Sequence, residues 1–546
     1  MLPYLQEVKK PSKQYSVAFK GINYGEGTQD GEFAETYNLS TDKYPCITQR
    51  AERIKLRDYV EHPNYTGYRL KPTTIHAKGE LIVACRVANR SCIYYGDENT
   101  VTFVCGANSK SGSITKLFTP DKKQMATVGN YIVIFPDKAY IKVPTTEDEK
   151  YEVGSLDWSY YGEGLTFTSS TISLSKTDVD KGRKFGFREG DAVTITGCSK
   201  SENNKTAEII IRAATDTTLT FDENAFTEAT ETGEVTISRN VPDLDFICES
   251  NYRLWGTKGN TIYSSKFSDP FNFNVFDGLA NDSYAIEVGS EGEFTGCIPY
   301  SSHICFFKEN TLHKLYGTKP SNFQITTVNV YGVQSGSERS MHIVNEQLLY
   351  KGVGGVYAYT GGVPELISGK FGNKRYSDAV ACCDGEKYYI SMKQGEEWNM
   401  FTYDVAKNIW LREDDTQALD MAFHNGKVYY IDAEGGLYFI DKTVDRGDIE
   451  WSATFCTMHE TMNERKGYSK FHLRMDMDAG AWLAVDIKTD NDLQWQQVYT
   501  THNEKAKTVS IPIIPTRCDS IDIRLRGKGN CTIKTFIREF TVGSDV

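Results

Sequence analysis

Short β-branched and aromatic runs alternate with tight-turn signals along most of this chain, and one strand-turn-strand unit keeps returning. Seven apolar anchors mark it: Val83, Ile132, Leu254, Phe306, Leu348, Tyr388 and Val428. From Leu254 onward the steps between anchors are 52, 42, 40 and 40 residues. A spacing of roughly 40 residues is the period of blades and other repeat arrays. Around the last two anchors the match is nearly literal. Asp384-Gly385-Glu386-Lys387-Tyr388-Tyr389-Ile390 parallels Asn425-Gly426-Lys427-Val428-Tyr429-Tyr430-Ile431. Asp-Gly and Asn-Gly accept the positive φ of a tight hairpin turn, and the run behind each reads as a strand. One such sheet cannot cover both of its faces. Several arranged radially can, so the pattern predicts an all-β chain built on a β-propeller of six or seven blades.

The period breaks between Ile132 and Leu254, a gap of 122 residues. Within it, Gly190 to Cys198, Ala207 to Ile211 and Thr218 to Phe221 each read as strands. Residues 155–240 are therefore expected to be a small inserted β-domain, whose removal restores the repeat. The propeller then falls in two parts, 71–154 and 241–446. Residues 1–70 carry few strand patterns and many turn signals, which reads as an extended N-terminal arm wrapping a partner or a neighbouring domain. After residue 447 the alternation lengthens. Phe471, Leu473 and Met475 alternate with polar neighbours, as do Leu483, Val485 and Ile487, and Ile521, Ile523 and Leu525. Long strands with one buried face predict a separate C-terminal β-sandwich over 447–546. No amphipathic helical pattern stands out.

Composition refines this picture. A length of 546 residues implies two to four units. Aromatics at 12 % suit pleated, half-buried surfaces, and 45 Gly against 15 Pro suits many tight turns rather than a disordered linker. A net charge of −12 argues against a surface made to grip nucleic acid, which needs clustered Lys and Arg. It is compatible with a passage through which DNA slides, because acidic walls repel phosphates. The 13 Cys show no C-x-x-C spacing and read as small apolar core residues in a reducing compartment. Met1-Leu2-Pro3-Tyr4 shows no secretory signal pattern, and no apolar run reaches the roughly 18 residues of a membrane span. Synthesis in a cytoplasm is expected.

Candidate chemistry is sparse. Propeller glycosidases need two carboxylates facing one sugar. The stretch Thr489 to Trp495 keeps only the Asp and the Trp of the sialidase Asp-box turn, and it lies in the sandwich. His459-Glu460 is the nearest approach to a metal pair, without a second His at helical spacing. Gly352-Val353-Gly354-Gly355 and Gly361-Gly362 have no helix after them and read as blade turns rather than phosphate cradles. Two basic stretches occur, Lys181 to Arg188 and Arg517 to Lys534. The second alternates with apolar residues and reads as a solvated strand face, whereas the first is a loop open to a phosphate or an acidic partner. No catalytic, cofactor-binding or metal-binding residue is nominated, and the chain is read as a non-enzyme.

One resemblance runs through most of the chain. Asp30-Gly31-Glu32-Phe33, Asn38-Leu39-Ser40, Tyr44-Pro45 and Arg50 resemble the opening of tailed-bacteriophage proteins that stabilise packaged DNA or form the tail hub. Arg253-Leu254-Trp255, Ile262-Tyr263-Ser264, the turn Asp269-Pro270-Phe271-Asn272-Phe273 and the ending Gly543-Ser544 are similar too. The resemblance implies a structural virion protein, a tail hub or nozzle located in the phage tail and made in the host bacterial cytoplasm. It implies a homo-oligomeric ring, commonly a hexamer, below the portal and head–tail adaptor, with tail fibres or spikes as further neighbours. Duplex DNA would pass through the lumen without sequence-specific binding, and the ring would help to retain the packaged genome. Two other functions fit the same pattern: a receptor- or carbohydrate-binding tail protein, and a glycan-degrading propeller enzyme.

Overall fold

A computed structural model describes residues 10–25, 28–57, 71–78, 80–87, 90–96, 101–105, 122–143, 145–146, 152–442, 449–456, 465–490, 492–502 and 507–542. Met1 to Tyr4, His459-Glu460 and Gly543-Ser544 lie outside the described residues. The fold is all-β, a β-propeller type with an inserted β-domain and a C-terminal sandwich. Among the described residues, seven four-stranded antiparallel sheets form its blades. All seven anchors named above fall in the second strand of a blade, from Val83 in Glu80–Val87 to Val428 in Lys427–Asp432. The reason is local. Each anchor follows a hairpin turn, and Asn425 (φ 44°) and Gly426 (φ 78°) hold the left-handed conformations that such a turn requires.

The chain divides into two compact units, residues 59–333 and residues 1–58 with 334–546. The first unit holds four blades. Their first strands pack in series: Lys71–Lys78 on Gln124–Val128, then Phe246–Ser250, then Gly296–Tyr300. Apolar side chains fill the wedges between blades, with Val133, Phe135, Leu254 and Phe273 in one and Trp255, Ile262, Phe306 and Leu315 in the next. The inserted domain leaves this array after Glu152–Ser155 and returns at Phe246–Ser250. It has two small sheets of four and five strands and its own core of Leu165, Ile172, Phe185, Val193, Leu219 and Ile237. A five-residue helix, Lys176–Asp180, starts at Ser175, whose hydroxyl accepts from the Asp178 amide.

The second unit holds three blades and the sandwich. Here the structure departs from the expected N-terminal arm. Residues 12–57 supply six strands: β1 (Ser12–Ser16), β2 (Gly21–Ile22), β3 (Glu32–Tyr37), β4 (Leu39–Ser40), β5 (Ile47–Gln49) and β6 (Glu52–Arg57). β1 and β5 pair with Cys531–Val542, and β3 pairs with Glu450–Phe455. β6 adds the fourth strand to the last blade by pairing with Leu437–Asp441. The sandwich is therefore not made of residues 447–546 alone, since both of its sheets are completed from the N-terminus. Strands of two or three residues show no readable alternation, and partners hundreds of residues away leave no local trace. Gly21 marks a close approach: φ is 79°, and a Cβ there would lie 2.3 Å from the Trp410 carbonyl oxygen.

In the sandwich the alternation resolves as expected. Phe471, Leu473, Met475, Leu483, Val485, Ile521, Ile523 and Leu525 are all buried in one core. Phe33 from β3 sits 5.0 Å from Phe455, which stacks on Phe536 at 5.2 Å and so ties the two sheets together. On the polar face, Asp486 accepts from Arg524 Nη2 at 2.8 Å and Arg526 Nε at 2.7 Å. Burial raises the Asp486 carboxyl, but the hydrogen bonds from Arg526 and Arg524 outweigh it and hold the pKa below the ordinary value. Such a group contributes stability above its unfolded-state pKa, and the contribution is lost as pH falls through the folded-state value. Asp486→Asn is expected to cost about 1 kcal/mol at neutral pH, because both arginines are half exposed. Urea titrations of wild type and variant should converge as the solution is acidified toward about pH 3.

Candidate functional site: an exposed aromatic loop and its buried clamp

The motif residues of the third blade converge on one loop. Asn251 (φ 52°) and Tyr252 (φ 57°) form the tight turn into Arg253–Lys258. Arg253 points inward and is 1 % exposed. Its guanidinium donates to the carbonyls of Ser265, Asp282 and Ala280 at 2.9, 2.5 and 2.8 Å. One side chain thus holds both ends of the loop that links Thr261–Ser264 to Tyr284–Glu287. Burial lowers the Arg253 pKa, and the charge of Asp282 opposes that shift without overcoming it.

The Asp269-Pro270-Phe271-Asn272-Phe273 turn is the clamp of the inserted domain. Asp269 Oδ1 accepts from the Phe271 amide, and Oδ2 accepts from Asn272 Nδ2 at 2.7 Å. Asn272 Nδ2 also donates to Asp191 Oδ1 at 3.0 Å, and Asn272 Oδ1 accepts from the Ala192 amide. Asp191 Oδ2 accepts from Arg239 Nη1 at 2.6 Å and from the Arg188 amide at 2.9 Å. Asp191, Arg239 and Asn272 are all buried. Phe271 meets Tyr131 and Tyr140 edge-on at 5.1 Å each, with the Arg188 guanidinium 3.8 Å from its ring centre. Arg188 is exposed, and a cation–π contact of that kind is worth about 0.5–1 kcal/mol.

Around this clamp the loop exposes large apolar side chains. Tyr252, Phe276 and Leu279 are 60, 60 and 58 % exposed, and Phe267 is 47 % exposed. Tyr252 and Phe267 lie 5.8 Å apart, ring to ring. Aromatic groups presented on a pinned loop are characteristic of protein–protein contact surfaces.

The second unit contains a cleft of about 480 Å³ lined by Arg50, Arg53, Asp414, Tyr430, Asp432 and Tyr438, among others. Its volume suits a small ligand. Its charged groups, however, are engaged with one another. Arg53 Nη2 lies 2.7 Å from Glu413 and Nη1 lies 2.7 Å from Asp414, with Arg50 at 3.4 Å from Asp414. Burial raises the Asp414 carboxyl, but the charges of Arg53 and Arg50 outweigh it and hold the pKa below the ordinary range. A general acid needs the opposite shift, so Asp414 is unsuited to protonating a leaving group. Asp432 Oδ1 caps a turn by accepting from the Glu434 and Gly436 amides.

The other residues singled out in the sequence resolve as follows. In the basic loop Arg183 pairs with Asp178, Lys184 pairs with Asp216, and Arg188 stacks on Phe271, so three of its cations already have partners inside the unit. In the second basic stretch Arg524 and Arg526 pair with Asp486, and Lys534 pairs with Asp476. Thr489 to Trp495 is a hairpin link: Asp492 accepts from the Thr489 hydroxyl, and Trp495 lies beneath the Lys488 and Arg524 cations. Gly352-Val353-Gly354-Gly355 is the hairpin turn between Gln347–Gly352 and Gly355–Tyr359. Among the described residues no group of three or more His, Cys, Asp or Glu side chains is placed to hold a metal. Of the Arg50–Arg53 cluster the sequence marked Arg50 but not Arg53, although Ile54 and Leu56 alternating with Arg53 and Lys55 carry a strand signal.

No family model matches this chain, and no curated protein matches it. Several solved structures share parts of the architecture. BamB from Moraxella catarrhalis is 11 % identical, covers 73 % of this chain and 98 % of its own, with a TM-score of 0.34. The computationally designed Ika8 protein is 9 % identical over 70 % of this chain and 99 % of its own, with a TM-score of 0.31. The exo-β-1,3-galactanase of Phanerochaete chrysosporium is 9 % identical over 52 % of this chain and 92 % of its own, with a TM-score of 0.21. Likeness this low carries no argument about function, and the seven blade sheets rest on the chain's own hydrogen bonding.

Proposed function

We propose that this chain is a structural subunit of a tailed-phage virion, a tail hub or nozzle that assembles with copies of itself into a ring continuing the DNA channel. It carries out no reaction in this reading. The observation that supports it best is the exposed group of Phe267, Phe276 and Leu279, on the loop whose two ends Arg253 binds, with Tyr252 on the adjacent turn. A heterologous contact between such a face and a different face of the next copy generates a ring when the rotation between copies closes. Weaving β1 to β6 into the last blade and both sandwich sheets gives a unit suited to mechanical load from packaged DNA. The acidic balance of −12 suits a wall past which phosphates slide.

The test is native mass measurement of the purified full chain combined with negative-stain microscopy. The expected result is a ring with a central hole that Phe276→Glu with Leu279→Glu disperses into folded monomers. A chain that stays monomeric at high concentration and binds or cleaves cell-wall glycan overturns the ring and supports a receptor-binding protein or a glycanase.

A further inference from the structure

A recess of about 90 Å³ lies behind the Gly352-to-Gly355 hairpin in the fifth blade. It is lined by Lys351, Gly354, Gly355, Lys374, Arg375 and Tyr376, among others, and no acidic side chain lines it. Lys351 is 1 % exposed. Its ammonium donates to Gln334 Oε1 at 2.7 Å and to the Gly352 carbonyl at 2.6 Å, both neutral acceptors. An ammonium has three donors, so one is left over among the described residues. Arg375 donates through Nη1 to the carbonyls of Gly372 and Lys374, again without a carboxylate. The Lys374 ammonium stands 3.4 Å from the centre of the Tyr24 ring. A buried cation without a counter-ion is costly, and elsewhere in this unit the chain supplies carboxylates to buried cations, as at Arg53. At Lys351 it supplies none.

The glycines shape the recess. Gly355 has φ 155°, and a Cβ there would lie 2.4 Å from Ser368 Oγ and 2.7 Å from Leu366. A Cβ on Gly354 would lie 2.5 Å from the Tyr357 hydroxyl.

We propose that the recess bounded by Lys351, Lys374 and Arg375 is a binding site for a phosphate-class oxyanion, presented either as free phosphate or in the backbone of a nucleic acid. Three cations with spare donors match the charge and the several oxygens of a phosphoryl group better than a single carboxylate. The inference stands apart from the ring reading, because it rests only on residues within one unit and on none of the exposed aromatic side chains.

The affinity should depend on pH. Burial, reinforced by the charge of Arg375, pulls Lys351 down to about 8. Lys374 is also lowered by burial, with Glu35 opposing and Arg412 adding to the effect. Tyr376 is pushed up to about 12 by burial and stays neutral. Binding therefore weakens as pH rises through about 8 and Lys351 loses its proton. Inorganic phosphate only gains negative charge as pH rises over that range, which works against the loss, so a weakening belongs to the protein.

The experiment is calorimetric titration of the full chain with inorganic phosphate at fixed ionic strength, with chloride as control. Wild type should show saturable binding beyond chloride. Lys374→Ala with Arg375→Ala, both exposed and expected to fold, should weaken it at least about tenfold, a loss of about 1.4 kcal/mol. Lys351→Met should remove the pH dependence along with the affinity. A second arm uses a fluorescent duplex of random sequence. Duplex binding that phosphate competes away assigns the site to a nucleic-acid backbone, and phosphate binding without duplex binding assigns it to the free anion. Equal effects of phosphate and chloride, or unchanged phosphate affinity in the folded double variant, overturn the proposal.

Discussion

Replacing Arg53 with methionine is expected to lower the stability of the unit formed by residues 1–58 and 334–546 by about 3–5 kcal/mol, the cost of breaking a buried ion pair from one side. Methionine fills much of the same length but leaves Glu413 and Asp414 facing each other without their main cation. Both carboxylates are nearly enclosed: side-chain exposure is 5 % for Glu413, 11 % for Asp414 and 6 % for Arg53 itself. Arg50 remains on Asp414 at 3.4 Å, and the Thr402 hydroxyl remains on Glu413, so part of the network survives. The same substitution loosens β6 from Leu437–Asp441. Urea unfolding followed by tryptophan fluorescence should show the lower midpoint, and amide exchange should quicken across residues 52–57. Adding Glu413→Gln and Asp414→Asn to Arg53→Met should restore a large part of the loss, because the penalty lies in the unpaired charges. A full loss that the neutralising changes leave untouched would place the effect in packing instead.

Asp191→Ala should do comparable damage in the other unit, again about 3–5 kcal/mol. Asp191 and Arg239 are 1 and 5 % exposed. Without the carboxylate, Arg239 keeps the Leu156 carbonyl at 3.1 Å and the Phe271 ring at 5.1 Å, and Asn272 and the Arg188 amide each lose an acceptor. The expected signature is specific. The inserted domain has its own core, so the first event should be its detachment from the third-blade loop rather than its unfolding. Limited proteolysis should open sites near residues 155–158 and 240–245 while fragments spanning the insertion stay resistant. Asp191→Asn should be milder, since an amide oxygen still accepts from Arg239. Unchanged proteolysis in a folded Asp191→Ala protein would show that the clamp is held by Phe271 and its cations alone.

How much of this was legible beforehand depends on how far apart the interacting residues stand. The blade anchors were readable because turn and strand lie within ten residues of one another, as at Asp384 to Ile390. The inserted domain was readable as a gap in the period, and its strands Ala192–Thr196, Lys205–Ile210 and Thr218–Thr220 sit where the alternation placed them. The sandwich core was readable from Phe471, Leu483 and Ile521 onward, since period two needs only a few consecutive residues. The motif Asp269 to Phe273 was visible as a turn, but its role as a clamp was not, because Asp191 and Arg239 join it from some distance along the chain. The cationic recess was hidden for the same reason. Lys351 and Arg375 are ordinary residues until a hairpin and a loop bring them to one wall.

Turn chemistry and alternation act between neighbours, so the sequence by itself determined that this is an all-β chain of repeated meanders with a foreign insert and a long-stranded end. Only the tertiary fold shows that residues 12–57 supply strands to the sheets instead of forming an extended arm. β1, β3 and β5 gain their hydrogen bonds from Glu450–Phe455 and Cys531–Val542, and β6 from Leu437–Asp441. A two-residue strand has no conformational preference strong enough to show before its partner arrives. Partner choice is set by chain closure and by buried charges such as Arg53, whose carboxylates lie some 360 residues away.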